Sequence, residues 1–405
     1  MSIPSAIKRK GSVYLIVIDG WGAGAQQDAS DYGDEQANTL AHVCAETNCR
    51  LPNFQNMGLG NIIPLASVPP EGSSRSSWGK MQAVSSGKDS TTGHWELAGI
   101  ILERPFPTYP DGFPNGIIEA FCKGIGRKNV LCNMPYSGTD VIRDFGDEHL
   151  DSGLPIIYTS ADSVFQVACH EDVAPVSQLY EWCRFARNHV MTGENAVGRV
   201  IARPFGGKRG NFKRITNQRH DFSLKPPTPN LLQHLQENGV KTYSIGKVAD
   251  LFSEDLFTQY RRTKNNAEGI AQLLSLMSAK MDGFVFVNLI DTDQLYGHRQ
   301  DVVGYAECLQ EIDRAIPAIL KKLCEDDLLI ITSDHGNDPA DDSTDHTREY
   351  VPLLVADGKR IPGYDLGTRQ TFSDVASTVS RYFGLSSPFP GTSFLRGSLK
   401  NDSNS

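Results

Sequence analysis

The chain has no hydrophobic run long enough to enter or cross a membrane. Lys8-Arg9-Lys10 precedes an apolar run, Val13 to Ile18, but that run is six residues long. A signal-peptide core takes about 7–15 residues and a spanning helix about 20. Cysteine is sparse, eight in 405 residues, with no CxxC pair and no regular framework. That excludes a disulfide scaffold and predicts reduced, mostly buried thiols in a cytoplasmic protein. A basic excess is missing too. Lys and Arg number 39 against 48 Asp and Glu, a net charge of −9, so neither nucleic acid nor a membrane surface is an expected partner. There is no internal repeat, and the only low-complexity stretch is the polar tail 397–405, expected to be disordered.

What is present is the composition of a globular enzyme, at a length that suits two domains or one large domain with an insertion. Val13–Ile18 is continuous and β-branched, as a strand covered on both faces should be. Gly283–Leu289 and Leu328–Thr332 read the same way. Each is followed by aspartate: Asp19, then Asp291 and Asp293, then Asp334. In open α/β sheets the ligand crevice lies at the carboxyl ends of the strands, so three acid-bearing strand ends point to one site. Helical spacing of apolar residues runs from Val303 to Leu323, with Pro317 expected to kink or interrupt it. A second amphipathic helix is expected over Phe372–Phe383, with Ser373 or Thr371 as N-cap.

Two proline-rich seams, Arg104 to Pro114 and Lys225 to Pro229, divide the chain. They predict a core from 1–103 and 223–396 and an inserted cap over 104–222, with strands at Leu154–Tyr158 and Val197–Ala202 and helices at Ile117–Lys123 and Ser177–Val190. Residues 181–220 of the cap hold nine Lys and Arg against two acids, a local balance of +7. Such a segment is either a solvated basic face or a wall that receives an anion.

The densest chemistry lies in Ser86-Gly87-Lys88-Asp89-Ser90-Thr91-Thr92-Gly93-His94. By itself this stretch is equally a helix start capped by hydroxyls. It is not a Walker A loop, which would need Gly and Ser/Thr where Gln82 and Asp89 stand, and Ser90 lacks a nucleophile-elbow frame. Gly124-Ile125-Gly126 fails as a dinucleotide fingerprint at Asn129. Asp291 to His298, Asp334 to Asp338 and Asp345 to Glu349 supply clustered carboxylates and imidazoles. That mixture suits zinc, manganese or iron rather than calcium. With this many candidate ligands, two metals fit better than one, and a serine beside them would gain the activation it lacks at neutral pH.

The combination VIDGWG at 17–22, GKDSTTGHWELAG at 87–99, YTSADSVFQVACHE at 158–171, VGRVIARPF at 197–205, NQRHDFSLKPP at 217–227, DTDQLYGHRQD at 291–301 and DHGNDP…TDHTREYVP at 334–352 resembles the phosphopentomutases of the alkaline phosphatase superfamily. The resemblance implies a doubly wound α/β core of the alkaline-phosphatase type with an inserted α/β cap, and two Mn²⁺ ions. It places Asp293, His298 and His346 on one metal, and Asp19, Asp334 and His335 with the nucleophile on the other. The nucleophile falls on Ser90, where the family usually has threonine. Phosphate and sugar contacts fall on Ser160, Asp162, Arg199, Arg214 and Lys247; Arg203 and Arg219 are either contacts or salt bridges. The implied activity moves phosphate between O5 and O1 of ribose and 2-deoxyribose through a phosphoserine and a sugar bisphosphate, which also acts as activator. A metal-dependent phosphohydrolase, a phosphoglycerate mutase and a non-catalytic phosphosugar-binding protein are the competing readings. The expected partners are small-molecule pentose phosphates.

Overall fold

The computed structural model describes residues 11–160, 162–359 and 362–396; the tail 397–405 and Lys8-Arg9-Lys10 lie outside them. The chain divides into two compact units, Met1–Arg104 with Pro226–Ser405, and Pro105–Lys225. The second unit runs to Lys225 rather than 222, because the strand His220–Ser223 pairs with Arg199–Lys208 and Leu224 N donates to Gly198 O at 2.9 Å.

The core unit is built on an eight-stranded sheet. Its spatial order is Gln259–Arg261, Thr242–Ile245, Gly283–Leu289, Ser12–Ile18, Leu328–Thr332, Val351–Asp357, Ser77–Met81, Asp365–Arg369. The first five run parallel; Val351–Asp357 is antiparallel to both neighbours. Ser12–Ile18 sits at the centre, with every residue buried. Its continuous apolar run fits this place, since a strand covered on both faces has no solvent side to spend polar residues on. The parallel strands align the exits that carry Asp19, Asp293 and Asp334 on one end of the sheet.

The helix Val302–Lys322 does not break at Pro317 but runs through it. A proline there leaves the Asp313 carbonyl without its helical donor. Asn53 Nδ2 takes that place, donating to Asp313 O at 3.0 Å, while the Asp313 carboxylate accepts from the Asn53 and Phe54 amides. The C-terminal helix is Asp374–Tyr382. Ser373 makes no side-chain cap bond; Thr371 Oγ1 instead accepts from Ser373 N at 3.1 Å.

The second unit carries the sheet Leu131–Pro135, Ile156–Thr159, Val164–His170, Arg199–Lys208, Asn211–Arg214, with His220–Ser223 also on Arg199–Lys208. Helices Asn115–Ile125 and Val176–Phe185 pack an apolar core on it through Phe121, Trp182 and Phe165. All eight cysteines are free. Among the described residues no helix is long and apolar enough to cross a membrane.

Candidate active site

Ser90 opens the helix Ser90–Leu97, whose N-cap is Asp89. The Asp89 carboxylate accepts from the Thr91 and Thr92 amides and from Thr92 Oγ1. Of the three adjacent hydroxyls, Ser90's is the one aimed at the acidic strand ends: its Oγ lies 3.1 Å from His335 Nε2. Gly93 lets this helix approach, because a Cβ there would stand 2.0 Å from the Asp334 carbonyl oxygen.

Around Ser90 the carboxylates and imidazoles interlock. His335 Nε2 is 3.2 Å from Asp19 Oδ1 and 3.3 Å from Asp334 Oδ2. Asp293 meets His298 Nε2 through Oδ2 and His346 Nε2 through Oδ1, each at 3.4 Å. Two groups of potential ligand atoms result: Asp19 with Asp334 and His335, and Asp293 with His335 and His346. His335 therefore stands between the two, and His298 reaches Asp293 from a more exposed position. Asp19, Ser90, Asp293, His298, Asp334, His335 and His346 all come together at one end of the core sheet.

The imidazoles are oriented as metal ligands are. His335 Nδ1 lies 3.0 Å from Gly336 O and His298 Nδ1 lies 2.7 Å from Thr344 O. Those carbonyls hold the proton on Nδ1 and turn the Nε2 lone pair toward the carboxylates. Asp19 Oδ1, Asp334 Oδ2 and His346 Nε2 are buried without a hydrogen-bond partner. Orphaned buried acceptors are costly unless something fills the gap, and a cation does so.

Titration behaviour agrees. Burial raises the Asp19 carboxyl pKa, and repulsion from Asp334 and Asp293 adds to it. Burial also raises Asp293, but the close His298 and His346 imidazoles outweigh it and hold the group well below the carboxylate range. Asp334 is likewise destabilised by burial, yet His335 and His94 bring it to about 2. Burial lowers His335, but Asp334 and Asp19 lift it to about 10. The Asp293 hydrogen bond lifts His298 to about 9. Without cations, the imidazoles must carry the positive charge that the acids demand.

Several supporting residues escaped sequence reasoning. His94 sits one helical turn after Ser90, its Nδ1 2.8 Å from Ser90 O and 3.0 Å from Asp334 Oδ2, with the ring stacked on Phe286. The i, i+4 spacing of Ser90 and His94 was the available signal. Asn288 Nδ2 donates to Asp19 Oδ2 at 2.9 Å, and Asn337 Nδ2 to Asp293 Oδ1 at 2.7 Å. Arg348 is buried and donates to the Ala83, Ser85 and Gly87 carbonyls and to Asp28. It ties the His346 segment to the approach to Ser90.

The expected substrate contacts fall in both units. Lys247 follows Thr242–Ile245, at the same sheet end as Asp19 and Asp293. In the second unit, Asp162 and Arg199 pair with each other at 3.1 Å. Ser160 lies just past the strand Ile156–Thr159, and Arg214 ends the strand Asn211–Arg214. The basic wall is smaller than its nine cations suggested. Arg187 is a buried clamp on the Val197 and Met191 carbonyls, and Arg209 pairs with Asp151. Arg219 pairs with Asp221.

These buried donor sets on an α/β sheet define a metal-dependent enzyme, and residues 11–387 match the model of the metalloenzyme superfamily. The chain is 52% identical to the phosphopentomutase of Caldanaerobacter subterraneus subsp. tengcongensis over 384 residues, 95% of this chain and 97% of that one. It is 52% identical to that of Acetivibrio thermocellus over 382 residues, covering 94% and 98%. The Leishmania mexicana phosphoglycerate mutase structure is 12% identical with a TM-score of 0.44, covering 98% of this chain and 99% of that one. The chain belongs to the phosphopentomutase family of the metalloenzyme superfamily, and it is an enzyme of the mutase class.

Proposed function

We propose that the enzyme interconverts ribose 1-phosphate and ribose 5-phosphate, and the corresponding 2-deoxyribose pair, through a phosphoserine at Ser90. One observation carries the reading: the Ser90 hydroxyl lies 3.1 Å from His335 Nε2, beside two buried carboxylate–imidazole groups. Asp293, His298 and His346 would hold one Mn²⁺, and Asp19, Asp334 and His335 the other. The donor mixture fits manganese, zinc or iron. When bound, the ions supply Lewis-acid stabilisation of the charge on a transferring phosphoryl group.

In this reading the transfer runs through Ser90. Phosphorylated Ser90 gives its phosphoryl group to the free hydroxyl of an incoming sugar phosphate. The Ser90 O–P bond breaks, a sugar O–P bond forms, and the sugar hydroxyl proton ends on Ser90 Oγ. The bisphosphate then returns its other phosphoryl group to Ser90, and the proton moves back. Each half exchanges one P–O bond for another, so water need not enter. A sugar bisphosphate primes the cycle. Asp89 already occupies the Thr91 and Thr92 amides, so the phosphoryl oxygens depend on cations rather than on those helix N–H groups. Ser160, Asp162, Arg199, Arg214 and Lys247 are assigned to the sugar and its phosphate. The eight free thiols suit a reducing cytoplasm.

Incubation with ribose 5-phosphate and a catalytic amount of sugar bisphosphate should yield ribose 1-phosphate without free phosphate. Mass spectrometry of the 80–100 peptide should place the phosphate on Ser90. Stoichiometric release of free phosphate, with no ribose 1-phosphate, would favour the phosphohydrolase instead.

A further inference from the structure

Several arginines of the second unit are held in one of two ways, and Arg203 is held in neither. Arg187 is satisfied by backbone carbonyls, and Arg219 and Arg209 by carboxylates. Arg203 has no such partner among the described residues, and its Nε is buried without a hydrogen bond. The hydroxyl of Tyr158, a fully buried residue, is also unpartnered. These two orphaned donors face the same turn. A Cβ added at Gly138 would stand 3.1 Å from the Tyr158 hydroxyl and 3.5 Å from Arg203 Nη1.

That turn leads into the helix Asp140–Ser152, thirteen residues long. Its opening amides at Thr139 and Asp140 meet only Ser137 Oγ, at 3.3 and 3.5 Å. The turn therefore lies where the helix dipole favours negative charge. Ser137 is exposed, which leaves a way in. Burial depresses the Arg203 guanidinium pKa; Arg219 and Arg214 add to that, while Tyr158 and the Asp221 carboxylate oppose it. A buried hydroxyl and a guanidinium edge left unpaired are costly, and an oxyanion would satisfy both.

We propose that Arg203, the Tyr158 hydroxyl and the Ser137–Gly138 turn form a binding site for a phosphate-class oxyanion within the second unit. Arg203 supplies the fork and the charge, Tyr158 a single donor, and the turn its amides. The site stands on this unit alone and does not depend on the mutase reading.

Calorimetric titration of the metal-loaded full chain with inorganic phosphate tests it. The wild-type chain should take two phosphates, one of them at this site. Arg203→Gln should weaken one of the two at least tenfold, and Tyr158→Phe about threefold. Tyr158→Phe removes a hydroxyl that bonds to nothing, so its melting temperature should match wild type; a structural role for the hydroxyl would lower it. Lys213→Gln, an exposed cation of the same basic segment, should leave both affinities unchanged. Repeating the titration with ribose 5-phosphate, and with ribose as neutral control, distinguishes a sugar phosphate from the free ion as occupant. Unchanged affinities in both Arg203→Gln and Tyr158→Phe overturn the site.

Discussion

Ser90 Oγ and His335 Nε2 lie 3.1 Å apart across 245 residues of sequence. The contact joins the start of a helix to the end of a central strand, so the hydroxyl sits among groups that also hold Asp19 and Asp334. Ser90→Ala should therefore lower mutase turnover by at least roughly 10³-fold. Metal content should change little, since the six Asp and His side chains remain. Ser90→Thr keeps the hydroxyl at the same helix position and should retain activity within about tenfold. Coupled assays of ribose 1-phosphate formation, with metal analysis of each variant, check this; a fully active Ser90→Ala protein would refute the nucleophile assignment.

Metal binding should release protons. In the cation-free protein His298 and His335 titrate at about 9 and about 10, so both are charged at pH 7.5. Ligation needs neutral imidazole, and about two protons should leave per chain. Calorimetry in buffers of different ionisation enthalpy measures the number; zero would mean that both imidazoles are already neutral in the cation-free protein.

The same shifts set the stability of the chelated protein. Both folded-state values lie above the ordinary histidine value, near 6.5. The stabilisation is therefore complete below about pH 6.5 and is lost as pH rises through 9 to 10. The melting temperature of chelated protein should fall across that window, and saturating Mn²⁺ should flatten the fall. A chelated protein equally stable at pH 7 and pH 10 contradicts the assignment.

Arg348 should matter to catalysis without touching substrate. It holds the Ala83, Ser85 and Gly87 carbonyls, two residues from His346. Arg348→Gln should lower kcat by roughly 10²-fold through misplacement of Ser90, with KM nearly unchanged. It should also cost on the order of 3 kcal/mol of stability. If Arg348 were merely structural, the folded fraction of the variant would turn over at the wild-type rate.

Asn53→Ala should leave the Asp313 carbonyl unpaired and cost about 1–3 kcal/mol. Adding Pro317→Ala restores a helical N–H to that carbonyl, so the double variant should recover part of the loss. A double-mutant cycle by denaturant unfolding measures the coupling; strict additivity would mean that Asn53 does not substitute for the missing helical bond.

The core strands were legible because burial on both faces leaves a continuous apolar run, and Gly283–Leu289 and Leu328–Thr332 keep their expected ends. The strand expected over Val197–Ala202 is instead Arg199–Lys208, which runs on through Pro204. Its missing N–H causes no loss here, because Pro204 falls where the neighbouring strand changes from His220–Ser223 to Asn211–Arg214. Pairing order is a tertiary property that no local pattern encodes. The acids and histidines of the site could be found because they follow strands. Asn288, Asn337 and Arg348 could not, since their roles are hydrogen bonds between segments far apart in the chain, whereas His94 had its spacing from Ser90 as a signal. The same limit separates Arg203 from Arg219: both are arginines in one basic segment, and only the Asp221 pairing tells them apart.

The central strand also has a consequence for biosynthesis. Ser12–Ile18 finds its neighbours only in Gly283–Leu289 and Leu328–Thr332, whereas Pro105–Lys225 is one unbroken stretch. At about 5–20 residues per second, on the order of tens of seconds pass between synthesis of the first strand and of its first partner. Over that interval the second unit can fold on the ribosome while the central strand of the first waits unpaired. A nascent chain stalled before residue 283 should thus present this strand to chaperones, and the last third of the message governs whether the first strand is ever buried.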